Sequence, residues 1–213
     1  MSSPSVSSHE TSPSIAQIVA EVGADLPGCR ERTSPDGMLT VAFTDIEGST
    51  EIMERIGEDR FVELMLIHNQ IVRSCVDKYF GEVVKSRGDG FLVSFGSASA
   101  ALDFAVQLQR VLHVHNEQDF TQALLVRIGI HTGNIFQLDD DFLGKAVVMA
   151  ARITGHARGG EILVSDECRT YTFHVGRWRY GQAVELRLKG LANVAHVYPL
   201  DWARSRPAVA RSV

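Results

Sequence analysis

Two aspartates stand where strand-like runs give way to glycine. Asp45 lies in Thr44-Asp45-Ile46-Glu47-Gly48-Ser49-Thr50, and Asp89 in Arg87-Gly88-Asp89-Gly90. Residues of this kind can offer two carboxylates to divalent metal and still leave room for phosphate. Leu39, Val41 and Phe43 alternate, so Asp45 falls at the end of a strand, just before a glycine-containing loop and a helix start. The free amides of such a loop, from Glu47 and Gly48 to Ser49 and Thr50, can bind phosphate, and Ser49 or Thr50 can cap the helix. Glu82 to Ser86 and Phe91 to Phe95 flank Gly88-Asp89-Gly90 as two short strands, which puts Asp89 on a hairpin tip.

The elements that must hold these residues follow from periodicity. Ile52, Met53 and Ile56 mark a helix that Gly57 interrupts, and a longer helix runs through Phe61, Leu64, Ile71, Val72, Cys75 and Val76 to Phe80-Gly81. Leu102, Ala105, Leu108 and Leu112 line one face of a helix over Ala98 to Val114, and Leu125 to Ile130 alternates as a strand. The order β-α-β-β-α-β is that of a ferredoxin-like α+β core, an antiparallel sheet with helices on one face, which sets the first strand beside the hairpin and makes Asp45 and Asp89 neighbours. A helix from Gly144 to His156 and short strands around Ile162 and from Val184 to Pro199 read as a C-terminal α/β elaboration.

Composition bounds the rest. The 213 residues, 45% hydrophobic and 22% charged, suffice for one well-buried domain. Residues 1–37, rich in Ser, Pro, Thr and Gly, read as largely disordered, with a possible short helix or docking segment from Ile15 to Val22. The domain is expected over 38–201, with a flexible tail over 202–213. No apolar run approaches the roughly 18 residues of a membrane span and the start lacks signal-peptide features, so a soluble, cytoplasmic protein without membrane contact is expected. A net charge of −5 without a basic cluster argues against nucleic acid as partner. Cys29, Cys75 and Cys168 suggest neither a disulfide framework nor a cysteine metal site.

The blocks Thr44-Asp45-Ile46-Glu47-Gly48-Ser49-Thr50, Lys85-Ser86-Arg87-Gly88-Asp89, Arg127-Ile128-Gly129-Ile130-His131-Thr132-Gly133, Asp141-Phe142-Leu143-Gly144, Ala150-Ala151-Arg152 and Leu188-Lys189-Gly190 occur in order over about three quarters of the chain. Together they resemble the catalytic domain of the class III adenylyl and guanylyl cyclases. The resemblance implies that Asp45, Asp89 and the carbonyl of Ile46 hold two divalent cations, Mg²⁺ or Mn²⁺, for intramolecular attack of a ribose 3′-oxygen on the α-phosphorus. It implies that Lys85 and Asp141 read adenine: lysine donates to a ring nitrogen and the carboxylate accepts from the exocyclic amine, whereas guanine readers typically carry Glu and a small residue. By the same resemblance Arg152 meets the transition state and Lys189 the phosphates. The activity implied is an adenylyl cyclase acting on ATP; the alternatives are a degenerate domain that binds nucleotide with little turnover, or a guanylyl cyclase.

One position departs from the pattern. The family usually carries Asn four residues before the arginine, and this chain has Val148, so that role is lost or falls to another group such as a water or Lys145. Loss of one positioned donor costs on the order of 3 kcal/mol. His131 reads as a satisfied core histidine. Lys85 and Asp89 are four residues apart, about 13 Å on a strand at about 3.3 Å per residue. One chain therefore cannot easily serve base and phosphates together, and the family's head-to-tail pairing implies a homodimer with two composite sites.

Overall fold

The structure is a computed structural model that describes residues 29–32, 38–118, 122–138, 141–188 and 194–207. The expected segment Ile15 to Val22 lies outside them, as do Lys189 and Gly190. The elements run β1 (Cys29–Arg32), β2 (Leu39–Ile46), α1 (Ser49–Ile56), α2 (Glu58–Lys78), β3 (Glu82–Arg87), β4 (Gly90–Phe95), α3 (Ala98–Gln118) and β5 (Val126–Gly133). They continue with β6 (Ile135–Leu138), β7 (Asp141–Leu143), α4 (Lys145–Thr154), β8 (Ile162–Ser165), α5 (Asp166–Thr172), a short 3-10 turn, β9 (Val184–Arg187) and β10 (Val194–Pro199).

Seven strands form one sheet in the order β3-β4-β2-β5-β8-β10-β9. Its first four are the expected ferredoxin-like set, antiparallel throughout, with β2 between β4 and β5. The remaining strands extend that sheet, and β8 joins β5 in parallel, so the sheet as a whole is mixed. The main core lies between the sheet and α2 and α3, where Ala42, Ile46, Phe91 and Val93 meet Leu64, Val72, Leu102 and Leu108. Truncating a fully buried phenylalanine such as Phe91 costs about 3–5 kcal/mol.

The expectation of helices on one face holds for the core helices; α4 covers the opposite face. Its Ala146 and Ala150 pack on Leu39, Val41 and Leu92. Small residues allow this approach, and Gly129 of β5 allows it most, since a Cβ there would lie 2.3 Å from the backbone nitrogen of Thr154. Within 1–37, expected to be largely disordered, the described residues 29–32 form β1, which pairs antiparallel with β6. Two further expectations are corrected. Residues 202–207 are held, because the Arg110 guanidinium donates to the carbonyls of Trp202, Ala203 and Ser205, and Trp202 Nε1 donates to the Gly160 carbonyl at 3.0 Å. At the start of α1 neither Ser49 nor Thr50 caps; the capping position is Gly48, left-handed at φ 69°, whose carbonyl accepts from Ile52 N–H at 2.9 Å.

Candidate active site

Strand register assembles the site. Thr44 stands opposite Phe91 across β2 and β4, so Asp45, one residue on, comes opposite Gly90, and Asp89 sits beside it on the hairpin turn. Gly88 makes that turn possible at φ 61°, a left-handed value that a side chain disfavours. The two aspartates therefore occupy the same end of adjacent strands.

The cleft beside them, about 530 Å³, is lined by Phe43 and Asp45 of β2, Lys85 of β3, Arg127 of β5, Asp141 of β7, and Val147, Ala151 and Thr154 of α4. Two ion pairs cross it. Arg127 faces Asp45 in the β2–β5 ladder and donates through Nε at 2.7 Å and also through Nη2. Lys85 Nζ donates to Asp141 Oδ2 at 2.6 Å, with the two side chains 54% and 45% exposed. The Lys85 hydrogen bond, helped by the Phe142 amide on the other carboxylate oxygen, holds Asp141 below the usual carboxylate range. Residues separated by 56 positions are thus joined as a donor and acceptor side by side.

Among the described residues no cluster of three or more His, Cys, Asp or Glu side chains could cage a metal. Asp45 and Asp89 with a backbone carbonyl make a hard-oxygen donor set that leaves coordination sites open, the set through which Mg²⁺ is held by one or two carboxylates together with substrate phosphates. The residues present fit such an ion.

Arg152, in the last turn of α4 where a cation suits the helix dipole, is exposed and makes no ion pair among the described residues. Val148, one turn earlier, is 44% exposed. Lys145 precedes Val148 by three residues on α4, a neighbour on the helix surface, and also borders a second cavity of about 550 Å³ with His131 and Glu167. His131 is the satisfied core histidine expected: it is buried and its Nδ1 lies 2.9 Å from Ser165 Oγ. Glu47, Gly48, Ser49 and Thr50 follow Ile46, and of the four Ser49 is half-buried and the others exposed. The role of Arg127 was missed. The signal was available, because an antiparallel β2–β5 pair sets a lone cation of an apolar strand across from Asp45.

Residues 32–198 match the model of the adenylate and guanylate cyclase catalytic domain. The chain belongs to this family. The cyclase domain is 31% identical over 191 residues to an adenylate cyclase of Mycosarcoma maydis, covering 75% of this chain and 8% of that protein. It also spans 30% of the length of a relative from Rhizobium meliloti, at 29% identity over 177 residues. Among solved structures, the adenylyl cyclase CyaB of P. aeruginosa superposes with a TM-score of 0.72 at 24% identity, over 81% of this chain and 95% of that one. The guanylyl cyclase Cya2 superposes with the same score at 22% identity, over 85% and 100%. Adenylyl and guanylyl cyclases thus share this fold. No helix among the described residues is long and apolar enough to cross a membrane.

Proposed function

We propose that the cyclase domain converts ATP to 3′,5′-cyclic AMP and pyrophosphate in a head-to-tail homodimer with two composite sites. The observation that carries the choice of ATP is the Lys85–Asp141 pair, a donor beside an acceptor at one edge of the cleft. Adenine presents the complement, a ring-nitrogen acceptor next to an amino donor; guanine presents the reverse and meets two mismatches.

Held by Asp45, Asp89 and the Ile46 carbonyl, two Mg²⁺ or Mn²⁺ ions would activate the ribose hydroxyl and neutralise the leaving pyrophosphate. The chain's own residues orient and neutralise. Lys85 and Asp141 fix the base, and Arg127, already a partner of Asp45, adds positive charge beside the phosphates. Arg152 spreads charge on the phosphorus and Lys189 adds a point charge to the triphosphate. The Glu47 to Thr50 loop offers amides to the phosphates. Pairing of two chains is supported by the outward face of α4, where Val148 and Arg152 stand exposed beyond an exposed Leu143. A soluble cytoplasmic protein with ATP as ligand accords with this chemistry.

A second reading, nucleotide binding with slow turnover, is favoured by Val148 alone, which offers no polar atom where the family places an amide. Product analysis with ATP and with GTP in Mn²⁺ decides among the readings: cyclic AMP alone is expected. For the composite site, Asp45→Ala and Arg152→Ala are each expected inactive alone and active when mixed, through one intact site per heterodimer. No recovery after confirmed subunit exchange places the whole site within one chain.

A further inference from the structure

The bond to Ser165 satisfies one edge of the His131 ring only. Nδ1 lies 2.9 Å from Ser165 Oγ and 3.5 Å from Glu167 Oε2, and since a carboxylate can only accept, the proton is assigned to Nδ1. Nε2 then carries the lone pair, and it has no partner among the described residues. It is not sealed in, because it does not belong with the buried atoms that lack partners. Gly133 leaves it bare: a Cβ there would lie 3.1 Å from Nε2 and 3.1 Å from the Ala146 side chain. His131, only 6% exposed, lines the second cavity of about 550 Å³ together with Gly133 and Ala146.

That cavity is charged at two separate places. Lys145 opens α4, whose capping position is Gly144 without a side-chain cap, and it makes no ion pair among the described residues. Glu167 faces the His131 ring, and among the described residues no lysine or arginine lies within ion-pair reach of it. Burial is the main influence that keeps the ring neutral; Glu167 opposes it and Lys145 reinforces it, so both charges are felt at one imidazole. They do not pair with each other. The bare edge of His131 therefore borders a gap that holds a cation and a carboxylate, beside an apolar wall of Met149, Val194 and Ala195.

We propose that this cavity binds a small zwitterion with an apolar body, the chemical class of the larger apolar α-amino acids. The ligand carboxylate meets the Lys145 ammonium and the open amides of the first turn of α4, the ligand ammonium donates to His131 Nε2 and Glu167, and the side chain rests on the apolar wall. A simple anion would face Glu167 and Asp166, and a simple cation would face Lys145; a molecule carrying both charges can match each to its opposite. The site is separate from the nucleotide cleft, with which it shares no lining residue. In the β2–β5 ladder Asp45 pairs with Arg127 near one end, and Leu39 pairs with Gly133 at the other. Six residues separate the two pairs, about 20 Å at about 3.3 Å per residue. The proposal does not depend on which nucleotide the cleft takes.

The test titrates the full chain by calorimetry with L-leucine, L-methionine and L-phenylalanine, each beside its amide, which lacks the carboxylate, and its deaminated acid, which lacks the ammonium. At least one amino acid is expected to bind at millimolar concentration or below, and both of its analogues at least about tenfold more weakly. Lys145→Met is expected to abolish the preference over the amide, and Glu167→Gln the preference over the deaminated acid, a division that a merely structural role would not produce. Both side chains are exposed, so the melting temperature is expected to hold. Asp45→Ala, at the far end of the ladder, is expected to bind the amino acid as the wild type does. No binding by any of the three overturns the proposal. Binding whose preferences survive both Lys145→Met and Glu167→Gln, or that is lost in Asp45→Ala, puts the amino acid elsewhere and overturns it as well.

Discussion

Two sets of ion pairs in the cyclase domain differ in burial. At the cleft, Asp45–Arg127 and Lys85–Asp141 are about one third to one half exposed and open to ligand. Across the molecule, Asp103 of α3 is 5% exposed, paired with Arg177 and accepting from Trp178 Nε1 at 3.1 Å. Solvent-accessible pairs contribute little to stability and can exchange partners with an incoming ion or base, whereas a buried carboxylate deprived of its partners leaves an uncompensated cost. The difference separates charges that solvent can reach from charges sealed into the fold.

That separation can be broken experimentally, most forcefully at the aspartates. Asp45→Ala and Asp89→Ala are expected to lower cyclase turnover by at least about 100-fold while moving the melting temperature by no more than about 2 °C, seen by pairing product assays with thermal unfolding. Activity within a few-fold of wild type in both metals removes them from the chemistry. Asp103→Asn inverts the pattern: it strands Arg177 and weakens the tie to α3, so stability is expected to fall by about 3 kcal/mol, roughly 6–12 °C in melting temperature, with kcat per folded molecule retained. A thermally unchanged Asp103→Asn erases the contrast.

Base selection sharpens it further. Lys85→Glu combined with Asp141→Cys reverses the polarity offered to the base and is expected to shift the ATP over GTP ratio of kcat/KM by more than tenfold toward GTP, without loss of fold. Val148→Asn is expected to raise kcat about tenfold with little change in KM, the mark of a contact made in the transition state. A fast wild type with no gain in the variant shows that another group already serves there. The smallest effect concerns pH. The folded Asp141 titrates below its ordinary 3.8 because of Lys85, so the pair's stabilisation is present above that value and fades as pH falls through the lower folded one. Being exposed, it is expected to change melting temperature by about a degree or two at neutral pH, measured against Asp141→Asn, with the difference vanishing in strong acid.

What could be read beforehand follows the same division. Apolar periodicity is a local property, so β2, α1, α2, the β3–β4 hairpin, α3 and β5 were legible from spacing alone, and their order carried the sheet topology. Features created by distant partners were not. The parallel β5–β8 ladder, the addition of β1 to β6 and the anchoring of 202–207 by Arg110 depend on contacts that no window of sequence contains. Family motifs supplied Lys85 and Asp141 as a pair, and their contact agrees; Arg127 needed knowledge of which strand lies beside β2.

The contact at Gly129 bears on how this domain can change over time. The positions proposed to meet nucleotide carry solvent-accessible side chains, which can be exchanged one at a time with little cost to the scaffold. The placement of Arg152 depends instead on a site with no chemistry at all, since even a methyl group on Gly129 would collide with the backbone of Thr154 two residues further on and lift α4 from the sheet. Random mutagenesis should therefore yield inactive or destabilised proteins at a buried, uncharged residue that no survey of reactive groups would single out. The solvent-accessible charges of the cleft are free to drift, and the seating of α4 is not.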